Sequence, residues 1–367
     1  MRFYTFVWLV VALTVFFSWL NWRLLARVFP SCRRGLGLAF FAFTAAAVAT
    51  VAFGWPMRPL SAMPGYEFFR LLMYFALAWL VGQPVLVLAQ PFLFLARRLV
   101  RDRQQQAGEA GETGETGEAG PEMTRRAFLA NALAVIPFSA FGVSGGAVYR
   151  AQTAMTVRRH ALAMPGLPAG LRGFKIGQIS DTHVGPYFDL ARLEETLELL
   201  AREKPDLVAV TGDFADDMAL LRPAAERLGA LARAVPLGVY FCMGNHEYFR
   251  DTGRIRAELT QSGVKVLIGA SALIAPGPPP FYLLGVDYPL SAGRGAAYVD
   301  VGRRRRCFAA ATGSAPPDAF KVLIAHHPDF LIDGFAARIP LTLAGHTHGG
   351  QVVIGGQSLL ALHAYVR

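Results

Sequence analysis

Cysteine is scarce: Cys32, Cys242 and Cys307 are the only three in 367 residues. Their spacing is unpaired, which argues against a disulfide framework, a cysteine-ligated structural zinc and an iron–sulfur centre. Two separate thiols at Cys242 and Cys307 are expected rather than a bridge. Acid is missing from the first hundred residues, where Glu67 stands alone. Long apolar stretches with no ionisable residue inside them lack the groups that mark a substrate path, so a small transporter or channel ranks last among the readings. Histidine is missing before His160, and five of the eight histidines fall in short blocks of the last half.

Hydrophobic residues make up 53% of the chain, and the excess is local. Phe3–Leu20 and Leu36–Gly54 are unbroken apolar runs of spanning length, without a polar face. Leu71–Leu95 is a third run, in which Gln83-Pro84 and Gln90-Pro91 are expected to introduce kinks. Ala127–Val148 is a softer fourth. The formal charge of +10 is carried mainly by arginine beside these runs, so membrane flanks explain it better than nucleic acid.

Arginine is rich after the first run (Arg23, Arg27, Arg33, Arg34), poor after the second (Arg58, Arg70) and rich again from Arg97 to Arg126. That alternation places the amino terminus and everything after the fourth run outside the cytoplasm. Residues 101–123 form a Gly/Glu-rich linker; Gln104–Glu122 holds too little apolar bulk to offset its ordering entropy and is expected to be unstructured. Thr124-Arg125-Arg126-Ala127-Phe128-Leu129 then resembles a twin-arginine export signal, here internal, and equally reads as a plain basic flank. The divisions are therefore 1–100 with three spans, 101–123 as linker, 124–150 with the twin-arginine-like motif and fourth span, and 151–367 as a globular domain.

Within that domain, Phe174–Ser180, Asp206–Val210 and Gly238–Met243 read as strands, separated by helices over Leu190–Lys204 and Met218–Ala234. This is a βαβαβ pattern, with chemistry-bearing residues just past the strand ends, where open α/β sheets hold ligands. Val264–Ile268, Phe281–Val286, Phe320–Ala325, Leu341–Ala344 and Gln351–Ile354 read as short strands of a second, mixed sheet joined by turns, giving an αββα sandwich. Four consecutive arginines, Arg303–Arg306, are expected on a solvated loop, with lipid head groups or a nucleotide diphosphate as the rival reading.

Five blocks follow one another: Asp181-Thr182-His183, Gly212-Asp213, Gly244-Asn245-His246-Glu247, His326, and Gly345-His346-Thr347-His348. Asp181-x-His183 and Gly212-Asp213 are weak alone, because such residues commonly cap or turn the chain. The Gly-Asn-His-Glu and Gly-His-Thr-His-Gly-Gly blocks are stronger, and the order of all five at strand ends is hard to produce by accident. Imidazole and carboxylate without thiolate suit hard-to-borderline divalent ions.

In these residues the chain resembles the calcineurin-like metallophosphoesterase superfamily, whose pattern is D-x-H, GD, GNH, H and GHxH. Ala325-His326-His327-Pro328-Asp329 and His346–Gln351 are similar to its membrane-attached bacterial branch, which includes twin-arginine-exported phosphoesterases and UDP-2,3-diacylglucosamine hydrolases of lipid A synthesis. The resemblance covers about 174–354. It implies an αββα sandwich, which the apolar runs place after about four transmembrane helices. It implies that Asp181, His183 and His348 bind one metal ion, that Asn245, His326 and His346 bind the other, and that Asp213 bridges them. It implies that His246 contacts the phosphoryl group and protonates the leaving group. Glu247 is expected to orient His246, His327 to support the site from outside the ligand set, and a cap around 269–320 to set specificity. The chain stops at Arg367, where members usually continue, so a truncated second sheet is a further expectation.

Two dications of this kind bridge a hydroxide and aim it in line at phosphorus. The expected function is metal-dependent hydrolysis of a phosphomonoester or phosphodiester, with a lipid-linked ester as one candidate. The ions would be Mn²⁺, Fe²⁺/Fe³⁺, Zn²⁺ or Mg²⁺. Expected partners are the membrane, the ester substrate and the export machinery, without nucleic acid; the oligomeric state is not legible. The rival is an inactive membrane binding protein that keeps the fold.

Overall fold

The structure is a computed structural model and describes residues 2–54, 61, 64–110, 139–151, 153–164, 166–290, 299–350, 353–354 and 357–358. It divides into two units, residues 1–56 with 65–154, and residues 57–64 with 155–367.

The first unit is helical: α1 (Arg2–Val28), α2 (Arg33–Gly54), α3 (Tyr66–Ala110) and α4 (139–151). Trp8–Val28, Pro30–Ala52 and Tyr66–Phe94 are long and apolar enough to cross a membrane. Their outward faces are apolar too: Leu38, Phe41, Leu88 and Phe92 stand exposed while Leu25, Phe40, Trp79 and Leu86 pack inside. A soluble bundle would show a polar outer face, so lipid is the medium these faces fit. The ring of Phe141 on α4 stacks on Trp79, with centroids 4.8 Å apart. α3 runs unbroken through Pro84 and Pro91. Asn21 of α1 donates to the Gln83 carbonyl (3.0 Å) and to its Oε1 (2.8 Å), supplying polar partners beside Pro84. The helix continues to Ala110, into the stretch expected to be unstructured; the rest of that stretch, the twin-arginine-like motif and the first half of the fourth span lie outside the described residues.

The second unit is built on two four-stranded sheets. β1 (Ile176–Ile179), β2 (Leu207–Val210), β3 (Val239–Phe241) and β4 (Lys265–Val266) are all parallel, in sequence order. The crossovers are α5 (Leu190–Arg202), α6 (Leu221–Ala234), and the pair α7 (Asn245–Phe249) and α8 (Thr252–Gln261). Leu193 and Leu197 of α5 recur at helical spacing on the buried side, and Asp189 caps that helix through Arg192 N. Strand β2 is buried on both faces, as parallel strands usually are. Val208 and Val210 face the helices together with Leu228 and Ile255. Leu207 and Ala209 face the second sheet, against Phe281, Leu283, Val322 and Ile324.

That second sheet is mixed: β5 (Ala270–Ala275) is antiparallel to β6 (Phe281–Gly285), which is parallel to β7 (Phe320–Ile324) and β8 (Leu341–Leu343). Its outer face carries Leu284, Val286 and Leu323 against α9 (Val301–Gly313) and α10 (Phe330–Ala336). The layers are therefore helix, sheet, sheet, helix, the expected αββα sandwich. Four expectations need correction. The strand expected at Val264–Ile268 joins the first sheet as β4, beside β3, and not the second. Among the described residues, Val353–Ile354 pairs with Gln357–Ser358 and not with the second sheet. The region 269–320 is not a separate cap: it supplies β5, β6 and α9 to the sandwich itself. Arg303–Arg306 lie on α9, capped by Asp300, and not on a loop. Arg304 is buried on the inner side of that helix, where periodicity alone hid it behind three other arginines. A short hairpin, β9 (Val353–Ile354) with β10 (Gln357–Ser358), follows.

Candidate metal centre

Five segments converge where the strands of both sheets end. Asp181 and His183 follow β1, Asp213 follows β2, Asn245 and His246 open α7 after β3, His326 follows β7, and His346 and His348 follow β8. The backbone bends sharply there. Asp181, His183, Asp213, His346 and His348 all have positive φ, between 45° and 71°. Non-glycine residues rarely adopt this region, and clusters of such strain collect at functional sites. Glycine makes the approach possible. Gly212 has φ 85°, and a Cβ there would stand 2.7 Å from both Gly244 N and His326 Nδ1.

The donor atoms fall into groups. Asp181, His183 and His348 present ligand atoms within 4.8 Å of one another, and so do Asp213, His326 and His346. Asn245 Oδ1 joins the second group, 3.0 Å from His326 Nε2 and 3.0 Å from His346 Nδ1. Asp213 Oδ2 stands between the groups, 3.2 Å from His326 Nε2 and 3.6 Å from His183 Nε2. Each of the seven residues expected to be ligands is thus in the cluster. His326 Nδ1 donates to the Thr211 carbonyl (2.7 Å), which turns Nε2 toward the cluster. Two pairs of ring nitrogens, His183 with His348 and His326 with His346, approach to 3.2 Å. Convergent imidazole and carboxylate donors without thiolate are a set that divalent ions of the Mn²⁺, Fe or Zn²⁺ type satisfy.

The charges are interlocked. Burial works to raise the Asp213 carboxyl, but the hydrogen bond and charge of His326 hold it at about 2. Burial works to lower His326, and Asp213 more than offsets it, so that imidazole is raised. His183 follows the same pattern with Asp216 and is also raised. His346 is pushed down to about 4 by burial and by the neighbouring His326 and His327. His348 is lowered mainly by burial.

Asp216 lies outside the five blocks of the sequence, yet it joins the site. Its Oδ1 accepts from His246 Nδ1 at 2.7 Å, and its Oδ2 is 3.2 Å from His183 Nδ1. Burial would raise its carboxyl, but these two imidazoles hold it far below the usual range. Arg250, nearly buried, binds it in turn through Nη2 at 2.8 Å, and donates from Nε to the Asp216 carbonyl. The signal available was an aspartate three residues after Asp213, but Asp217 beside it offered the same chemistry. Asp217 instead closes a turn, accepting from Ala219 N.

Glu247 does not orient His246, as had been expected. It is fully buried and accepts from three backbone N–H groups, those of Asp213 (2.9 Å), Phe214 (2.8 Å) and Gly244 (2.7 Å). It ties the Gly-Asp loop to the Gly-Asn loop. Burial first, and the Asp213 charge second, raise its carboxyl. His327 lies outside both donor groups; its Nδ1 accepts from Asp329 N, and its ring is 4.6 Å from that of His346.

A family profile for the calcineurin-like phosphoesterases matches residues 174–350. An uncharacterised metallophosphoesterase of Aquifex aeolicus is 30% identical over 57% of this chain and 75% of its own. The phosphodiesterase YaeI of Escherichia coli is 29% identical over 63% of this chain and 79% of its own. A Caenorhabditis elegans metallophosphoesterase, F40B5.2, is 30% identical over 56% of this chain, which spans only 42% of the worm protein's length. With the αββα sandwich and the seven clustered donors, these matches establish that the chain belongs to the calcineurin-like phosphoesterase family of phosphoric ester hydrolases.

Proposed function

We propose that this chain is a membrane-anchored phosphoesterase that works with two divalent ions, one held by Asp181, His183 and His348 and the other by Asn245, His326 and His346. The observation that carries the reading is Asp213 Oδ2, within 3.6 Å of His183 Nε2 and 3.2 Å of His326 Nε2. One carboxylate between two imidazole groups is the arrangement that holds two cations close together. Bound there, the ions supply Lewis acidity and a nucleophile made from water at neutral pH.

The chain's own groups do the rest. Neutral donors (Asn245, and His346 with its low pKa) add no negative charge that would repel a phosphate. His246 stands beside the cluster, its ring centroid 4.3 Å from that of His183, with Nδ1 bound to Asp216. That bond holds the ring by Nδ1, so Nε2 is the atom from which a proton would pass to the departing oxygen. Asp216 is a positioning residue, and Arg250 and Glu247 hold the loops on which the others stand. The substrate reading is a phosphodiester or phosphomonoester, with a lipid-linked ester favoured by the membrane spans. The name of the E. coli relative favours the diester.

We place the domain outside the cytoplasm of a bacterial plasma membrane. The arginine alternation supports this, as does a contact in the second unit: Ser61, from the arginine-poor loop between α2 and α3, donates its N–H to Asp217 Oδ2 at 2.9 Å. Alkaline phosphatase fused after residue 160 is expected to be active, and activity of a cytoplasm-only reporter at that point would refute the placement.

The direct test is hydrolysis of bis(p-nitrophenyl) phosphate by the full chain in detergent, with Mn²⁺ or Zn²⁺ added. Stimulated turnover is expected, abolished in the Asp213→Ala, His348→Ala double variant. Turnover that survives in that variant would refute the reading.

A further inference from the structure

The outer helix α10 is apolar on both sides. Phe330 and Gly334 face inward and are buried, as a helix on a sheet requires. Leu331, Ile332 and Phe335, on the opposite stripe, are 49%, 62% and 88% exposed. Single exposed apolar residues are ordinary, but an aromatic ring almost wholly in solvent beside two aliphatic side chains marks a contact surface.

α9, which packs with α10 on the outer face of the second sheet, carries the run of arginines. Arg304 pins α9 to α10 through an ion pair with Asp333, Nε to Oδ2 at 2.7 Å. Arg303 is also engaged, donating to the Leu290 carbonyl and lying 3.8 Å from Asp287 Oδ2. Arg305 and Arg306, next along α9, are exposed, and so is Arg338 just after α10. The arginine run is thus split: two hold the fold and two face outward. Of the acids on α10 and at its start, Asp333 is largely buried in its pair with Arg304, and Asp329, half exposed, lies 3.7 Å from the same arginine.

We propose that the outward stripe of α10, together with the exposed Arg305, Arg306 and Arg338, docks into the headgroup layer of an anionic bilayer. The same chain carries three helices fit to cross a membrane, so this domain is tethered where such a layer is. Apolar side chains flanked by arginine are the composition of an interfacial helix: the stripe enters the acyl boundary and the cations neutralise anionic lipid. A second copy of the chain is a poorer occupant. A two-fold contact through this stripe would set the arginines of one copy against those of the other. His327 and Leu331 are separated by at most about 14 Å of extended chain. On the reading proposed above, docking would bring the metal centre within reach of a phosphoester at headgroup depth. The docking itself does not depend on that chemistry.

The test uses the full chain reconstituted in vesicles of phosphatidylcholine, with and without phosphatidylglycerol. Cys32, Cys242 and Cys307 are replaced, and an environment-sensitive fluorophore is attached through Phe335→Cys or, as a control on the opposite helical layer, through Glu198→Cys. A blue shift at 335 and quenching by lipids spin-labelled near the headgroup are expected with phosphatidylglycerol. Both should weaken without it, be absent at 198, and be lost when Arg305, Arg306 and Arg338 are changed together to Glu. No quenching at 335, equal quenching at 198, or a shift that follows protein density instead of lipid composition would each overturn the proposal. Should the cysteine-free chain fail to fold, hydrogen exchange of the unaltered chain in nanodiscs decides. Phosphatidylglycerol should slow exchange over 330–338, and unchanged exchange there counts against docking. Neither readout requires hydrolysis, so loss of docking and loss of enzymatic activity are told apart.

Discussion

His246 Nδ1 lies 2.7 Å from Asp216 Oδ1, and the same carboxylate reaches His183 Nδ1 with its other oxygen, at 3.2 Å. One aspartate therefore sets the orientation of the proposed proton donor and of a proposed metal ligand. Asp216→Asn should lower kcat on bis(p-nitrophenyl) phosphate about 10–100-fold, the usual scale for losing such a supporting group. His246→Ala should cost about 10²–10⁴-fold. Because the two act as one unit, the double variant should be little worse than His246→Ala alone. Leaving-group dependence separates this role from a structural one: the deficit should grow as the leaving phenol becomes more basic. Equal deficits across leaving groups would remove His246 from protonation.

Glu247 supplies a prediction about stability. Its carboxylate satisfies three buried N–H groups that no water reaches, those of Asp213, Phe214 and Gly244. In Glu247→Gln one oxygen is kept, but an amide N–H₂ must face at least one of these donors. The expected cost is about 1–3 kcal/mol, the penalty for a buried group left unpaired. The metal-free protein should melt several degrees lower, with metal affinity falling because the Asp213 loop loosens. An unchanged melting midpoint would show that the three bonds are dispensable.

The histidine shifts predict opposite pH trends for the empty and loaded protein. His183 and His326 are raised, each by a neighbouring carboxylate, Asp216 and Asp213 respectively. A raised folded-state pKa gives stability that is fully present below the unfolded value, about 6.5, and is lost as pH climbs through the folded value. The metal-free protein should therefore lose melting temperature as pH rises from about 6.5. Metal binding must expel those protons, so affinity should increase over the same range. His346, already pushed down to about 4, should contribute nothing to this window. Titration calorimetry in two buffers of different ionisation enthalpy would count the protons released, and zero release at pH 6.5 would contradict the assignment.

The site was legible because its chemistry is local: each block is a few residues at a strand end, and the parallel sheet of β1–β3 carries those ends to one edge. The αββα layering followed from strand runs and turn signals in the same way. What stayed hidden depends on which way a side chain points. Glu247 next to His246 looks like its partner in sequence, yet the first turn of α7 sends Glu247 under the loops and leaves His246 to a carboxylate from another segment. Asp216 and Asp217 are indistinguishable in a string of letters; only the turn at Ala215–Ala219 directs one to the histidines and the other to its own backbone. Arginine content masked α9 for a similar reason, since burial of Arg304 depends on Asp333, which is distant in sequence.

Asp213 stands where the two donor groups meet. His348 touches only the first donor group, and Asn245 only the second, whereas Asp213 Oδ2 lies within 3.6 Å of a nitrogen from each. Removing a ligand that belongs to one ion should release that ion and leave the other. His348→Ala and Asn245→Ala are each expected to retain about one ion per chain, against about two in the unaltered protein. Asp213→Asn keeps the side-chain shape but removes the negative charge that offsets two cations, so both ions should be held weakly and metal content after desalting should fall below one. Elemental analysis by mass spectrometry measures all three. If Asp213→Asn keeps one ion as firmly as His348→Ala does, the carboxylate belongs to a single site and the bridging role is wrong. If the unaltered protein binds fewer than one ion at saturating metal, the chain has kept the fold without the two-ion chemistry.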